Sequence, residues 1–173
     1  ADDKLRMAVQ ISNPLGEDFS IMRTVPLNGM LTSLSTNYNR RNKDVRLYEL
    51  ANIYLPKALP LTELPDERMQ FTLGMYGDGD FFNMKGVVEE FFEKAGMRKK
   101  THYNPECAHP YLHPGRKADI VYDGTVVGYL GEIHPDVADN YRIGEKVYVA
   151  VLDMPAVEKF VDFDRKYTGI AKY

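Results

Sequence analysis

The stretch Ala118–Ile133, ADIVYDGTVVGYLGEI, decides how this chain is laid out. Two runs rich in β-branched and aromatic residues, Ala118–Tyr122 and Thr125–Ile133, flank the dipeptide Asp123-Gly124. A two-residue Asp-Gly loop accepts the positive φ angles of a hairpin turn, so the two runs fold back on each other as antiparallel strands. Downstream, Pro135–Tyr141 reads as a short helix, Val147–Leu152 as a strand and Pro155–Val161 as another short helix. Residues 97–116 are irregular, broken by Pro105, Pro110 and Pro114.

Further upstream, Met84, Val87, Val88, Phe91, Phe92 and Ala95 recur at helical spacing over Asn83–Ala95, and Gly96 supplies a stop. Val87, Val88, Phe91 and Phe92 are its expected core anchors. Met69–Tyr76 is a strand closed by Gly77-Asp78-Gly79-Asp80, and Pro56–Pro65, with three prolines, is an exposed loop. Val45–Leu55 is apolar on both alternating faces apart from Arg46, Glu49 and Asn52, the pattern of a central strand. From Pro26 to Arg41, Leu27, Met30, Leu31, Leu34 and Tyr38 make one helical face, with cations at its end. Leu5–Ile11 has the mixed pattern of a strand, ended by Ser12-Asn13-Pro14-Leu15-Gly16. Hairpins and adjacent strands outnumber any βαβ alternation, so the class is α+β with a mostly antiparallel sheet.

The chain has 173 residues, 44% hydrophobic and 27% charged, enough for one ordinary core. Lys+Arg at 22 against Asp+Glu at 25 gives a net charge of -3, which argues against a protein built to wrap nucleic acid. A single cysteine, Cys107, excludes an internal disulfide framework and fits a reducing, cytoplasmic compartment. No stretch approaches the roughly 18 apolar residues of a membrane span, and the opening ADDKL lacks a signal-peptide shape.

Candidate chemistry is sparse. Cys107, His109 and His113 form a C-x-H-x3-H array to which His102 or His134 could add a ligand, but no paired thiols accompany them. Histidines packing a loop are the better reading, for metal binding and for a Cys107–His109 nucleophile pair alike. Asp78 and Asp80 lack the further ligands of a cation loop and read as a tight turn. No phosphate-cradling glycine motif occurs, and Gly128 and Gly131 mark a bulge or a close backbone approach. The residues alone thus give an α+β domain with no assigned catalytic, cofactor or metal residue.

Six segments change that picture when read in order. They are Asn13–Glu17 (NPLGE), Ser20–Thr24 (SIMRT), Arg46–Leu50 (RLYEL), Asp80–Glu89 (DFFNMKGVVE), His113–Arg116 (HPGR) and Gly128–Pro135 (GYLGEIHP). Together they resemble the catalytic-like core module of the bacterial phenylalanyl-tRNA synthetase beta chain, over about Leu5–Val161. The resemblance implies a class II synthetase-type antiparallel sheet flanked by helices, in a degenerate copy of the alpha chain's catalytic domain. It divides the chain into a core module, 1–161, and a linker, 162–173, in which Lys166–Ile170 leads toward a following anticodon-binding domain. It further implies an alpha-chain partner in a heterotetramer of two alpha and two beta chains. ATP, magnesium and tRNA are then used by the whole enzyme, with no cofactor in this part and no membrane contact.

Class II chemistry aims cations at the ATP phosphates, an Arg on the motif 2 strand and another opening the motif 3 helix, each such donor worth about 3–4 kcal/mol. The motif 2-like strand Val45–Leu55 lacks the Arg-x-Glu pattern, and the motif 3-like Val147–Phe160 has no Arg, with Lys159 too far along to substitute. Arg23 and Arg116 remain, read as loop buttresses. The expectation is a non-catalytic assembly module. A self-contained adenylate-forming ligase is the alternative, ahead of a free RNA-binding module that would rest only on Arg40/Arg41/Lys43 and Arg98/Lys99/Lys100. A long motif 1-type helix ahead of Asn13 is expected to be missing, leaving apolar surface uncovered on the sheet or on the Pro26–Arg41 helix.

Overall fold

The structure, a computed structural model, describes residues 4–164. Six strands form one antiparallel sheet: β1 (Val45–Leu55), β2 (Asp66–Tyr76), β3 (His102–Asn104), β4 (Leu112–Tyr122), β5 (Thr125–Ile133) and β6 (Tyr148–Asp153). Their spatial order is β1-β2-β6-β5-β4-β3. Helices α1 (Leu27–Asn39) and α3 (Pro135–Asn140) cover one face, while α2 (Phe81–Lys94) and α4 (Met154–Val157) cover the other. Among the described residues no helix is long and apolar enough to cross a membrane. The expected linker, 162–173, is described only as far as Asp164, and its Lys166–Ile170 lie outside the described residues.

The elements form for the local reasons read from the sequence. Asp123 and Gly124 both take positive φ, 49° and 77°, and close the β4–β5 hairpin. Asp80 caps α2 in a reciprocal box: its carboxylate accepts from the Asn83 N–H at 2.9 Å, and the Asp80 N–H donates to Asn83 Oδ1 at 2.8 Å. Gly96, at φ 77°, ends the same helix. Leu27, Met30, Leu31 and Leu34 bury the inner face of α1 against β1 and β2, where a side chain at Gly74 would run into Met30. Gly128 serves a similar purpose in β5: a Cβ there would fall on the Val151 carbonyl of β6.

Four expectations are corrected. Leu5–Ile11 is not a strand; Lys4–Arg6 is a 3-10 turn, and only Gln10 bridges, to Ile21. Val45–Leu55 is not central but the sheet's edge, and the central strand is β6, buried from Tyr148 to Leu152. In β6, Val149 and Val151 face α1 while Tyr148, Ala150 and Leu152 face α2, so both faces of that strand need apolar residues. Val87 is not a core anchor: it is half-exposed, while Met84, Val88 and Phe92 make the buried stripe of α2. Within the irregular 97–116 span, β3 pairs antiparallel with Asp119, Ile120 and Val121 of β4, and residues 112–116 are the extended opening of that strand. Among the described residues Tyr48 and Leu50 of β1 are exposed, whereas Leu27, Met30, Leu31 and Leu34 of α1 are buried.

Candidate functional site

Alternation in the strands brings a row of polar side chains to the α1 face of the sheet. Gln70 of β2 lies opposite Asp153 of β6 in the register, and Arg68 lies two residues along the same face. Beside them, Tyr129 of β5 faces Val151 on one side and Asp119 of β4 on the other. The loop before β4 lays His109 over this end. Between Ile53 and Tyr129 the surface dips into a cleft of about 320 Å³, within the usual size range of ligand pockets.

The cleft's charges satisfy one another. Arg68 donates from Nε to Asp153 Oδ1 at 3.1 Å and from Nη2 to Oδ2 at 2.5 Å, a bidentate fork, and Gln70 Nε2 adds a bond to Oδ1 at 2.8 Å. The hydrogen bond to Asp153 raises the Arg68 pKa above its ordinary value, so the guanidinium stays charged and committed to that carboxylate. His109 stacks on Tyr129 with ring centres 3.9 Å apart, and its Nδ1 meets the Tyr111 hydroxyl at 2.8 Å. Burial lowers its pKa, opposed by Asp119, whose Oδ1 lies 3.6 Å from Nε2. Burial likewise drives the Tyr129 phenol well up. Among the described residues every buried side-chain nitrogen and oxygen has a hydrogen-bond partner.

A phosphate needs cations that are not already matched to carboxylates, and this cleft offers one guanidinium with a carboxylate across it. The guanidinium in this cleft is thus committed to a carboxylate. Arg68 was missed in the sequence because the strand's charged opening, Asp66-Glu67-Arg68, reads as loop. The signal that exposes it is Gln70: a polar residue at even spacing from Arg68 marks a common strand face.

The other candidates are placed as follows. Arg23 buttresses β1, with Nη1 at 2.6 Å from Glu49 and Nε donating to the Asn52 carbonyl at 2.8 Å. Arg116 forks onto the buried Glu132 at 2.5 and 2.9 Å. Cys107 is buried and its thiol pKa is pushed up by that burial, so it is a poor nucleophile. The His113 ring turns back onto the Gly115 N–H, His134 accepts from the Asp136 N–H at the start of α3, and exposed His102 opens β3. No group of three metal-ligating side chains converges among the described residues. Asp80 is spent as a helix cap, and the Asp78 carbonyl accepts from Arg46. Arg98 and Lys99 pair with Asp162 and Asp123 respectively.

A family model described as the phenylalanyl tRNA synthetase beta chain CLM domain matches residues 1–154. The chain is 44% identical over 172 residues to the phenylalanine–tRNA ligase beta subunit of Clostridium acetobutylicum, covering 99% of this chain and 22% of that one. It is 42% identical, with the same coverage, to the beta subunit of Clostridium tetani. The chain thus spans about a fifth of the length of the curated relatives it matches. Among solved structures, a pyrrolysyl-tRNA synthetase from Desulfitobacterium hafniense superposes with a TM-score of 0.65 at 13% identity, covering 91% of this chain and 54% of that one. At that identity the likeness concerns the fold, which is that of class II synthetases.

Proposed function

The chain belongs to the phenylalanyl-tRNA synthetase beta chain family, through its CLM domain, and from that premise we propose that it is a non-catalytic structural and assembly module. In this reading it supports an alpha chain that joins phenylalanine to its tRNA in an ATP-dependent reaction, within a cytoplasmic assembly of two alpha and two beta chains. ATP, magnesium and tRNA are handled by the whole assembly. The observation that carries the reading is the Arg68–Asp153–Gln70 lock, which commits the cleft's guanidinium to an internal carboxylate. A working adenylate site needs that charge free to meet a phosphate as negative charge builds in the transition state.

The test is phenylalanine-dependent ATP–pyrophosphate exchange on the 173-residue chain, with calorimetric titration of ATP. The expected result is no exchange above a blank and no measurable ATP binding. Exchange, or an ATP affinity near micromolar, would make the module an active ligase and overturn the reading.

A further inference from the structure

We propose that the cleft between Ile53 and Tyr129 binds a small organic cation, a protonated amine carried on an apolar body. The group that points to this is Asp119. Its side chain is only 21% exposed, yet among the described residues no N–H or O–H donates to its carboxylate. The nearest candidate, His109 Nε2, stands 3.6 Å from Oδ1, beyond hydrogen-bond reach. Asp153, across the cleft, is by contrast met three times, by Arg68 and Gln70. No fully buried oxygen among the described residues lacks a partner, so the Asp119 oxygens keep access to the cleft they line. A carboxylate so far withdrawn from water is costly to leave unmet, and a donor entering the cleft would relieve that cost.

The lining selects the sign of the ligand. It carries one guanidinium against two carboxylates, and the guanidinium is forked onto Asp153. His109 adds no positive charge near neutral pH, because burial lowers its pKa. Lys117, two residues along β4, disfavours the imidazolium through space but makes no ion pair with Asp119. The surroundings are aromatic and aliphatic. Tyr129 lies opposite Asp119 in the β4–β5 register, and His109 stacks on it, so two π systems stand beside the carboxylate, where they favour a cation. Val126 reaches the same face because β5 takes in one extra residue where the ladder shifts at Ile120/Val121. With Ile53 and Val151 it makes apolar walls for the body of the ligand.

Other occupants match this lining less well. A divalent metal needs several hard ligands, and no three acidic, histidine or cysteine side chains converge among the described residues. An anion or a zwitterion needs a cation for its negative end, and the Arg68–Asp153 fork leaves none uncommitted. At about 320 Å³ the cleft has room for one ring or a short branched chain with its amine. The inference stands apart from the assembly reading, since a module without ligase chemistry can still hold an amine.

The test is an NMR titration of the isotope-labelled 173-residue chain with three probes of similar shape: benzylamine, neutral benzyl alcohol and anionic benzoate. Benzylamine should bind in the millimolar range expected of so small a ligand, at least about tenfold more tightly than benzyl alcohol, and benzoate should not bind. The shifted amides should cluster at Asp119, Tyr129 and Asp153. Asp119→Asn should abolish the preference for benzylamine, whereas Asp136→Asn, which removes an exposed carboxylate on α3, should leave it intact. Failure of benzylamine to bind overturns the proposal. So does equal binding of the three probes, a set of shifted amides away from the cleft, or an Asp119→Asn chain that keeps the preference. ATP–pyrophosphate exchange decides the assembly reading separately, so neither result stands in for the other.

Discussion

Replacing Asp153 with Asn keeps the shape of the cleft and removes the carboxylate that forks onto Arg68, while Asp66 stays 3.7 Å from the guanidinium. The structure sets the size of the effect. Asp153 accepts three hydrogen bonds, two from Arg68 and one from Gln70, and its side chain is 21% exposed against 40% for Arg68. Because the guanidinium stays partly hydrated, the pair itself contributes only about 1 kcal/mol to stability, and the variant should lose no more than that. The gain appears in anion binding. A charge-assisted bond from a released guanidinium to a phosphate oxygen is worth about 1.5–3 kcal/mol, or roughly 10- to 100-fold in affinity. Titrating inorganic pyrophosphate calorimetrically into both proteins at low salt should show binding strengthened by that factor in Asp153→Asn. The gain should shrink at high salt, where screening weakens an exposed charge. Equal affinities in the two proteins would show that Arg68 is not restrained by Asp153, and the account of the closed cleft would fall.

Phe92→Ala should destabilise the chain by about 3–5 kcal/mol, since the ring is fully buried and packs edge-on against Tyr122, whereas the half-exposed Val87→Ala should cost about 0.5 kcal/mol or less. Urea unfolding monitored by circular dichroism separates them, and similar losses at both sites would mean the buried face of α2 is misassigned. His109 supplies a pH dependence. Its folded pKa is depressed by burial, so the unfolded chain binds the proton more readily, and stability should fall as pH drops below about 6.5 before levelling off beneath the folded pKa. His109→Gln should flatten that part of the stability–pH curve. An unchanged slope would remove His109 as its source.

Local chemistry was legible in the sequence and long-range order was not. The Asp123-Gly124 turn, the apolar face of α1 and the Gly96 stop each depend on residues within a few positions, and each forms where the pattern placed it. The neighbour of a strand depends on segments far away. Val45–Leu55 reads as apolar on two faces and Val147–Leu152 simply as a strand, yet of the two only the second has a strand on each side. The cleft fared the same way. Arg68 and Asp153 lie 85 positions apart and meet only through the β2–β6 register, which no local spacing announces. The distinction between Val87 and Val88 turns on one residue of helix rotation, about 100°, finer than a broad apolar stripe can resolve.

The place of β6 also bears on how the chain must fold. The hairpins β1–β2 and β4–β5 are local units, the first joined by the Pro56–Pro65 loop and the second by the Asp123-Gly124 turn, yet neither touches the other in the sheet. Only Tyr148–Asp153 bridges them, pairing with β2 on one side and β5 on the other. Until Tyr148–Asp153 joins them, both hairpins have an open inner edge, and the two halves of the described core have no common strand. Closing the sheet brings together residues more than 70 positions apart in a single step, an entropy cost that local contacts cannot reduce. The join between the two halves of the sheet accordingly rests on the six residues Tyr148–Asp153 rather than on the hairpin that is easiest to read.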